Sequence, residues 1–434
     1  MHVYFSGIGG VGIGPLALVA KKAGYEVSGS DIKDGQAIKY LRQQGITDIN
    51  IGQSAEQIDG VHQKKPIDWL VYSSALPKTD LNHPELAFAK QNNIKTSKRD
   101  ELLNEILSQK NLKLVAIAGT HGKTTTTAMV IWLFKQLGKP VSYSLGAKIS
   151  FGEMGAYEKE SEYFVYECDE FDRNFLAFHP VLAIITGLSW DHHEIFPTLE
   201  DYTQAFKQFV KQSRQLVLWQ EDAKKLDLLS NEGRVTIEST DDPRLNEIQL
   251  AGLYNRRDAW LAIKSVSLLT STAPQKLVES MNRFPGVSRR FEKIAQNLYS
   301  DDAHTPEKIQ GCMSVAKELA AKTGQKIIVI YEPLTNRRMH YLGAAHHSVF
   351  EGASKIYWLP SYLAREDPSL PVLTPAELIK NLSSELQTIA QPMEMGEELK
   401  EVISRHLEAG DMVVGMAGGG ADSLDEWFRD NFKD

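Results

Sequence analysis

The chain has 434 residues, 42% of them hydrophobic and 24% charged, with a formal net charge of -8. At about 150 residues per domain that length suggests roughly three domains. The composition excludes a disordered or membrane protein, and the acidic balance leaves no basic field for a nucleic-acid partner.

The first elements form a strand-loop-helix unit. Residues 2–6 are β-rich and break into glycines, and residues 15–23 read as a helix with Pro15 near its start. Strand-like runs follow at residues 25–30 and 69–73, and a helical stretch at 100–107, so residues 1–108 read as a Rossmann-like parallel α/β domain. Within it Gly7, Gly9 and Gly12 have the spacing Gly-x-Gly-x-x-Gly, with Gly10 and Val11 between them, and Asp31 ends the next strand. This is the fingerprint of a loop that cradles a diphosphate at a helix start.

A second unit begins at residue 109. The apolar run 114–118 leads into Gly119, Thr120, His121, Gly122, Lys123, Thr124 and Thr125, and residues 128–137 read as a helix. Strand, glycine loop and helix in that order make a phosphate loop, although Ile117 stands where the strict Walker spacing has its first glycine. Lys123 would place a cation on the β and γ oxygens, and the Thr124 hydroxyl would ligate magnesium. Further strand-like runs at 163–166, 181–185, 216–219 and 235–237 and a helix at 259–269 complete a central domain over residues 109–283. Glu167 closes one of these strands and Asp191-His192 follows another. At strand ends of an open parallel sheet, Glu167 and His192 can reach the Lys123 crevice and hold a second magnesium.

Strand-like runs at 326–331, 355–359 and 412–416 alternate with helices in a third, Rossmann-like α/β domain over residues 284–434. Cys168 and Cys312 form no Cys-x-x-Cys pair and fit a reducing cytosol. No stretch of about 18 apolar residues occurs, and the start lacks the pattern of an export signal, so a cytoplasmic location without a membrane partner is expected.

The segments GTHGKTTTT, YECDEFD and WDHHEIF resemble those of the Mur ligases, ATP-dependent enzymes that add amino acids or peptides to UDP-N-acetylmuramic acid, and the likeness extends over nearly the whole chain. The resemblance implies that Lys123 and Thr124 serve ATP and magnesium and that Glu167 and His192 serve the second magnesium. It matches Asn255 to an adenine-side asparagine, with Tyr254 and Asp258 in place of the usual His and second Asn. Arg290, in GVSRRFE, is matched to an arginine that reaches the terminal phosphate. Asp301 is matched to a ribose contact and His304 to a nucleotide contact, with Asp302 in place of the usual aromatic. Ala205-Phe206 stands where other members carry a carbamylated lysine, as in the branch acting first on UDP-N-acetylmuramate. The first-domain glycines, with Ser73 and Ser74, are matched to the UDP site.

Two other classes are weighed against this ligase. The amino-terminal fingerprint alone also suits a nicotinamide-dependent dehydrogenase, which leaves the second phosphate loop and Glu167 unexplained. A non-enzymatic nucleotide-binding regulator leaves the paired phosphate sites without a use. For the ligase, ATP is expected to phosphorylate the muramoyl carboxylate and an amine to displace phosphate, with the site assembled by closure of the third domain. The acceptor is read as L-alanine. The run from Tyr331 to Arg338 leans instead towards the recycling branch that adds the tripeptide L-Ala-γ-D-Glu-meso-diaminopimelate. Arg337, Arg338 and His340 are candidates for the acceptor carboxylate. His346-His347 reads as a loop or helix start before a metal pair, and Gly418, Gly419 and Gly420 read as a structural turn.

Overall fold

The apolar runs become strands buried on both faces, which is how parallel strands under helical layers read in sequence. The structure is a computed structural model and describes residues 1–73, 76, 82–191, 195–228, 233–363, 366–420 and 422–432. Its strands form three mainly parallel sheets in a mixed α/β fold.

The first sheet has the order β3-β2-β1-β4-β5, with β1 His2–Ser6, β2 Glu26–Asp31, β3 Ile49–Ile51, β4 Trp69–Tyr72 and β5 Lys95–Lys98. All four pairings are parallel. The strand order reverses between β1 and β4, the place where open α/β sheets take their ligands. Helix α1, Gly14–Lys22, follows β1 and buries every residue from Gly14 to Ala20. Helix α2, Arg99–Gln109, follows β5 and buries Leu102, Leu103, Ile106 and Leu107, a 3.6-residue stripe.

The second sheet has the order β12-β11-β10-β6-β9-β7-β8. These strands are β6 Lys113–Ala118, β7 Ser142–Ser144, β8 Gly155–Ala156, β9 Tyr163–Glu167, β10 Leu182–Ile185, β11 Leu216–Trp219 and β12 Val235–Glu238. Only β7 and β8 run antiparallel. Helix α3, Lys123–Gln136, leaves the phosphate loop and is almost wholly buried along its first half. Helix α4, Leu199–Gln212, starts at Thr198, whose hydroxyl accepts the Asp201 N–H, and turns Tyr202, Ala205, Phe206, Phe209 and Val210 inward. The helix foreseen at 259–269 is longer at its start and becomes α5, Leu253–Thr270.

The third sheet has the order β13-β14-β18-β15-β16-β17. Here β13 is Glu292–Ala295, β14 Leu298–Asp301, β15 Ile327–Glu332, β16 Lys355–Trp358, β17 Ala390–Pro392 and β18 Met412–Ala417. Helix α6, Pro306–Thr323, follows β14, and α7, Asn336–Leu342, follows β15. Strand β14 was not foreseen, because its sequence LYSD reads as a polar loop. Ser300 is nevertheless buried there, its hydroxyl donating to Asp425 at 2.6 Å.

Contacts divide the chain into two units, Met1–Gln249 with Arg257–Pro285, and Leu250–Arg256 with Gly286–Asp434. The first unit holds the first two sheets. One apolar core joins them, running from Val3 and Leu16 through Leu102 to Ala116, Phe164 and Phe206. In the second unit the sheet has a separate core on each face, one around Val329, Tyr331 and Trp358 and one around Ile328, Ile403 and Phe428.

Candidate functional site

The phosphate loop lies at the carboxyl end of β6, between β10 and β9, so three strand ends supply its surroundings. Gly122 is left-handed at φ +80°, and a Cβ there would fall 2.6 Å from a carboxylate oxygen of Asp258. Both the backbone angle and the neighbour therefore require glycine. Thr120 is fixed on two sides: its N–H donates to Gly187 O at 2.8 Å, and its hydroxyl bonds Ser189 O and the Tyr202 hydroxyl, each at 2.6 Å. The Thr186 hydroxyl donates to His121 O. Thr125 is buried in the first turn of α3.

Lys123 opens α3. Its ammonium donates to Gly119 O at 2.6 Å and lies 2.8 Å from Glu170 Oε2, a side chain with 0% exposure. Burial opposes the charge on Lys123, but Glu170, Asp169 and Glu167 outweigh it and hold the ammonium above its ordinary pKa. Burial in turn pushes the Glu170 carboxyl up against the pull of Lys123. Thr124 Oγ1 donates to Glu167 Oε1 at 2.7 Å, so the two residues read as magnesium ligands meet. His192 lies outside the described residues. Among the described residues no group of three or more His, Cys, Asp or Glu side chains could hold a metal. A hydroxyl and a carboxylate at one point fit magnesium nonetheless, since it takes oxygen ligands and keeps waters and phosphate oxygens in its shell.

The amino-terminal loop is fixed by its own backbone donors. Gly7 and Ile8 donate their N–H groups to Ser30 O, both at 2.9 Å, and Gly9 N–H donates to Asp31 Oδ2 at 2.8 Å. Asp31 thus braces the loop it was matched with. Gly10 N–H closes a turn on Gly7 O at 3.0 Å. Ser73 lies beside Gly7, whereas Ser74 lies outside the described residues. Val11 packs against Gly146, and the Gly146 N–H donates to Glu167 Oε2 at 3.2 Å. Within one unit, the glycine loop of the first sheet therefore approaches the carboxylate of the second.

In the second unit, Asp301 ends β14 and accepts the Phe291 N–H at 2.7 Å; burial pushes its carboxyl up to about 6. Asp302 gathers cations: Arg289 at 3.1 Å, Arg290 at 3.3 Å and Lys308 at 3.4 Å. Burial opposes that charge, but Arg290 and Lys308, with Arg289, hold the carboxyl well below its usual range. The residue replacing an aromatic is thus an anchor for Arg290. His304 Nδ1 bonds Asp302 O at 2.7 Å, and burial drives its pKa down to about 3, so the ring is neutral.

The amide of Asn255 donates to Ala251 O at 2.8 Å. Arg337 is exposed and Arg338 half-buried at the start of α7, and His340 bonds Pro371 O at 2.9 Å. His346 is buried and bonds Leu342 O and the Tyr331 hydroxyl, while His347 is exposed, so the two do not converge as a metal pair. A Cβ on Gly418 would meet the His304 ring and one on Gly419 the Tyr362 ring, so close packing accounts for both glycines.

Glu170 and Asp258 went unassigned in the sequence reading. Glu170 lay in the acidic segment already singled out, three residues past Glu167, but its 47-residue separation from Lys123 hid the pairing. Asp258 was visible as a departure from the family asparagine; only folding places it against Gly122.

Comparison with known proteins gives the family. Residues 2–111 match the family model described as the Mur ligase family catalytic domain, and residues 117–259 match the Mur ligase middle domain. The UDP-N-acetylmuramate–L-alanine ligase of Rickettsia felis is 28% identical over 97% of this chain and 94% of its own length. That of Renibacterium salmoninarum is 28% identical over 96% and 93%. Among solved structures, the UDP-N-acetylmuramate-alanine ligase MurC of Thermotoga maritima is 25% identical, with a TM-score of 0.79 over 100% of this chain and 99% of that one. A murein peptide ligase of Psychrobacter arcticus, 21% identical with a TM-score of 0.66 over 99% and 98%, shares the fold. The two family models together span more than half of the residues, and the chain belongs to the Mur ligase family.

Proposed function

We propose that this protein is an ATP-dependent ligase that joins the carboxylate of UDP-N-acetylmuramate to L-alanine in the synthesis of peptidoglycan precursors. The observation that carries the reading is the approach of the two anion loops, with Val11 on Gly146 and Gly146 bonded to Glu167, beside Thr124 and Lys123. A dehydrogenase has no use for the second loop. The likeness to alanine ligases over nearly the full chain supports alanine as acceptor.

In the reaction, a carboxylate oxygen of the muramoyl group attacks the γ-phosphorus of ATP and ADP leaves, giving an acyl phosphate. The amine of alanine then attacks the acyl carbon, loses a proton and expels phosphate. Lys123 carries positive charge to the phosphoryl oxygens, where it stabilises charge in the transition state. Gly119, Thr120, His121, Gly122 and Thr125 shape the loop around the phosphates, and Thr124, Glu167 and His192 would hold magnesium. Magnesium, when bound, neutralises phosphate charge and orients the transferring group.

Gly7, Gly9, Gly10, Val11, Gly12, Asp31, Ser73 and Ser74 are assigned to the UDP-sugar. Asn255, Arg290, Asp301 and His304 are assigned to the nucleotide, and Arg337 and Arg338 to the acceptor carboxylate. The corresponding domains are residues 1–108, 109–283 and 284–434. The location proposed is the cytoplasm, where ATP is available and the two buried, unpaired cysteines stay reduced.

The test is phosphate release by purified protein with UDP-N-acetylmuramate and ATP, offering alanine, serine, glycine and the tripeptide in parallel. Alanine should give the highest kcat/KM. Release with the tripeptide alone would transfer the assignment to the recycling reaction, which Glu332-Pro333 favours in sequence. Absence of release with every acceptor would remove the ligase reading.

A further inference from the structure

Arg99 is the first residue of α2, directly after the edge strand β5, and its side chain is 16% exposed. Its guanidinium lies over the Cα of Gly12, with Nη1 where a Cβ at that position would stand. The third glycine of the amino-terminal fingerprint therefore makes room for an arginine. The other terminal nitrogen, Nη2, reaches Asp169 Oδ2 at 3.4 Å, and the neighbouring Lys98 pairs with Asp172 at 2.5 Å.

Among the described residues, the contact to Asp169 is the one side-chain hydrogen bond Arg99 makes. It is long, since charge-assisted N–H···O bonds run at about 2.7–2.9 Å. A guanidinium has five donors in a planar fork that fits two phosphate oxygens at once. Arg99 thus keeps most of its donors, and its charge, beside a loop whose glycines admit a diphosphate. An arginine keeps its charge in any case, and Asp169 is the ionised group beside it.

We propose that Arg99 is a binding residue for the diphosphate of the UDP-sugar, held over Gly12 by Asp169 and closing on the phosphates when the substrate enters. The proposal rests on the ligase reading and deepens it. Asp169 lies between Glu167, bonded to Thr124, and Glu170, paired with Lys123, so the arginine that grips the first substrate also touches the acidic segment that serves ATP. A purely structural strut between the two sheets would need the same Asp169 contact, but it would not need the guanidinium on the glycine loop.

The test is calorimetric titration of the full chain and its variants with UDP alone and with UDP-N-acetylmuramate, alongside thermal unfolding and the KM for ATP. Arg99→Gln should weaken UDP by at least about tenfold, the scale of a lost hydrogen bond to a charged group, and leave the KM for ATP unchanged. Arg99→Lys, which keeps the charge but not the fork, should fall between the two. Unchanged UDP affinity in Arg99→Gln with a lowered unfolding temperature would make Arg99 a strut and overturn the proposal. A loss confined to UDP-N-acetylmuramate would assign the guanidinium to the sugar's carboxylate and overturn it equally. If Arg99→Gln does not fold, Arg99→Lys decides: weakened UDP supports the role, and parental affinity overturns it. Failure of the parent protein to bind UDP would instead remove the ligase reading.

Discussion

Lys123 and Glu170 form an ion pair beside the phosphate loop, with Lys123 15% and Glu170 0% exposed. Lys123→Ala removes the cation and leaves Glu170 buried without it. Phosphate release dependent on both substrates should fall by at least about a hundredfold, the scale on which a single transition-state charge donor acts, and steady-state assay checks this. Glu332 supplies a prediction of a different kind. Burial pushes its carboxyl up to about 7 from an ordinary 4.5, and among the described residues its one side-chain hydrogen bond is from the Leu424 N–H at 3.3 Å. Between those two values the unfolded chain ionises first, so folding must take up a proton. The stabilisation is complete below about pH 4.5 and is lost as pH rises through about 7. Glu332→Gln keeps an acceptor for Leu424 and carries no charge. It should gain on the order of 2–3 kcal/mol over the parent at pH 8 and nothing at pH 4.5, read from denaturant unfolding of the unit that carries it. Equal stabilities at pH 8 would refute the argument.

Helix α4 shows how an element carries a feature that the resemblance gives to one branch of the family. Its inward stripe puts Phe206 4.9 Å from Phe175 and 5.0 Å from Tyr202, ring to ring, while the Tyr202 hydroxyl bonds Thr120 in the phosphate loop. Where the resemblance places a carbamylated lysine in other members, this chain has an aromatic core. Activity should therefore be the same in bicarbonate-depleted and bicarbonate-supplied buffer, and stimulation by bicarbonate would contradict that account. Phe206→Ala should cost about 3–5 kcal/mol, as large-to-small changes of a buried aromatic do, and it should lower ATP affinity by loosening Tyr202 behind Thr120. Nucleotide titration of the folded variant checks the second effect.

For the molecule as a whole, the two units should answer differently to ligand. UDP is assigned to a loop in the first unit, so at a hundredfold excess over its dissociation constant it should stabilise that unit by about 2.7 kcal/mol. Scanning calorimetry should show the corresponding transition shifting with UDP concentration, and a profile indifferent to UDP would count against the loop assignment. Much of this architecture was legible in the sequence, because parallel strands buried on both faces are written as continuous apolar runs and phosphate loops need glycine and lysine at fixed local spacing. Strands β6, β11, β15 and β18, the loops at Gly7 and Lys123, and the acid at Glu167 were all read that way. Short polar strands such as β5, KTSK, where only Ser97 is buried, and β14, LYSD, where Leu298 and Ser300 are, were missed because no apolar run marks them and pairing within the sheet makes them strands. By itself the sequence determined the family, the sheet-and-helix class and the two glycine loops, all of which depend on patterns within a few consecutive residues. Only the tertiary structure decided that Glu170 pairs with Lys123, that Asp258 closes on Gly122, that Asp302 anchors Arg290 and that Arg99 lies on Gly12. Partners separated by a dozen residues or more leave no local pattern, and it is the pairing and order of strands in the sheets that bring them together.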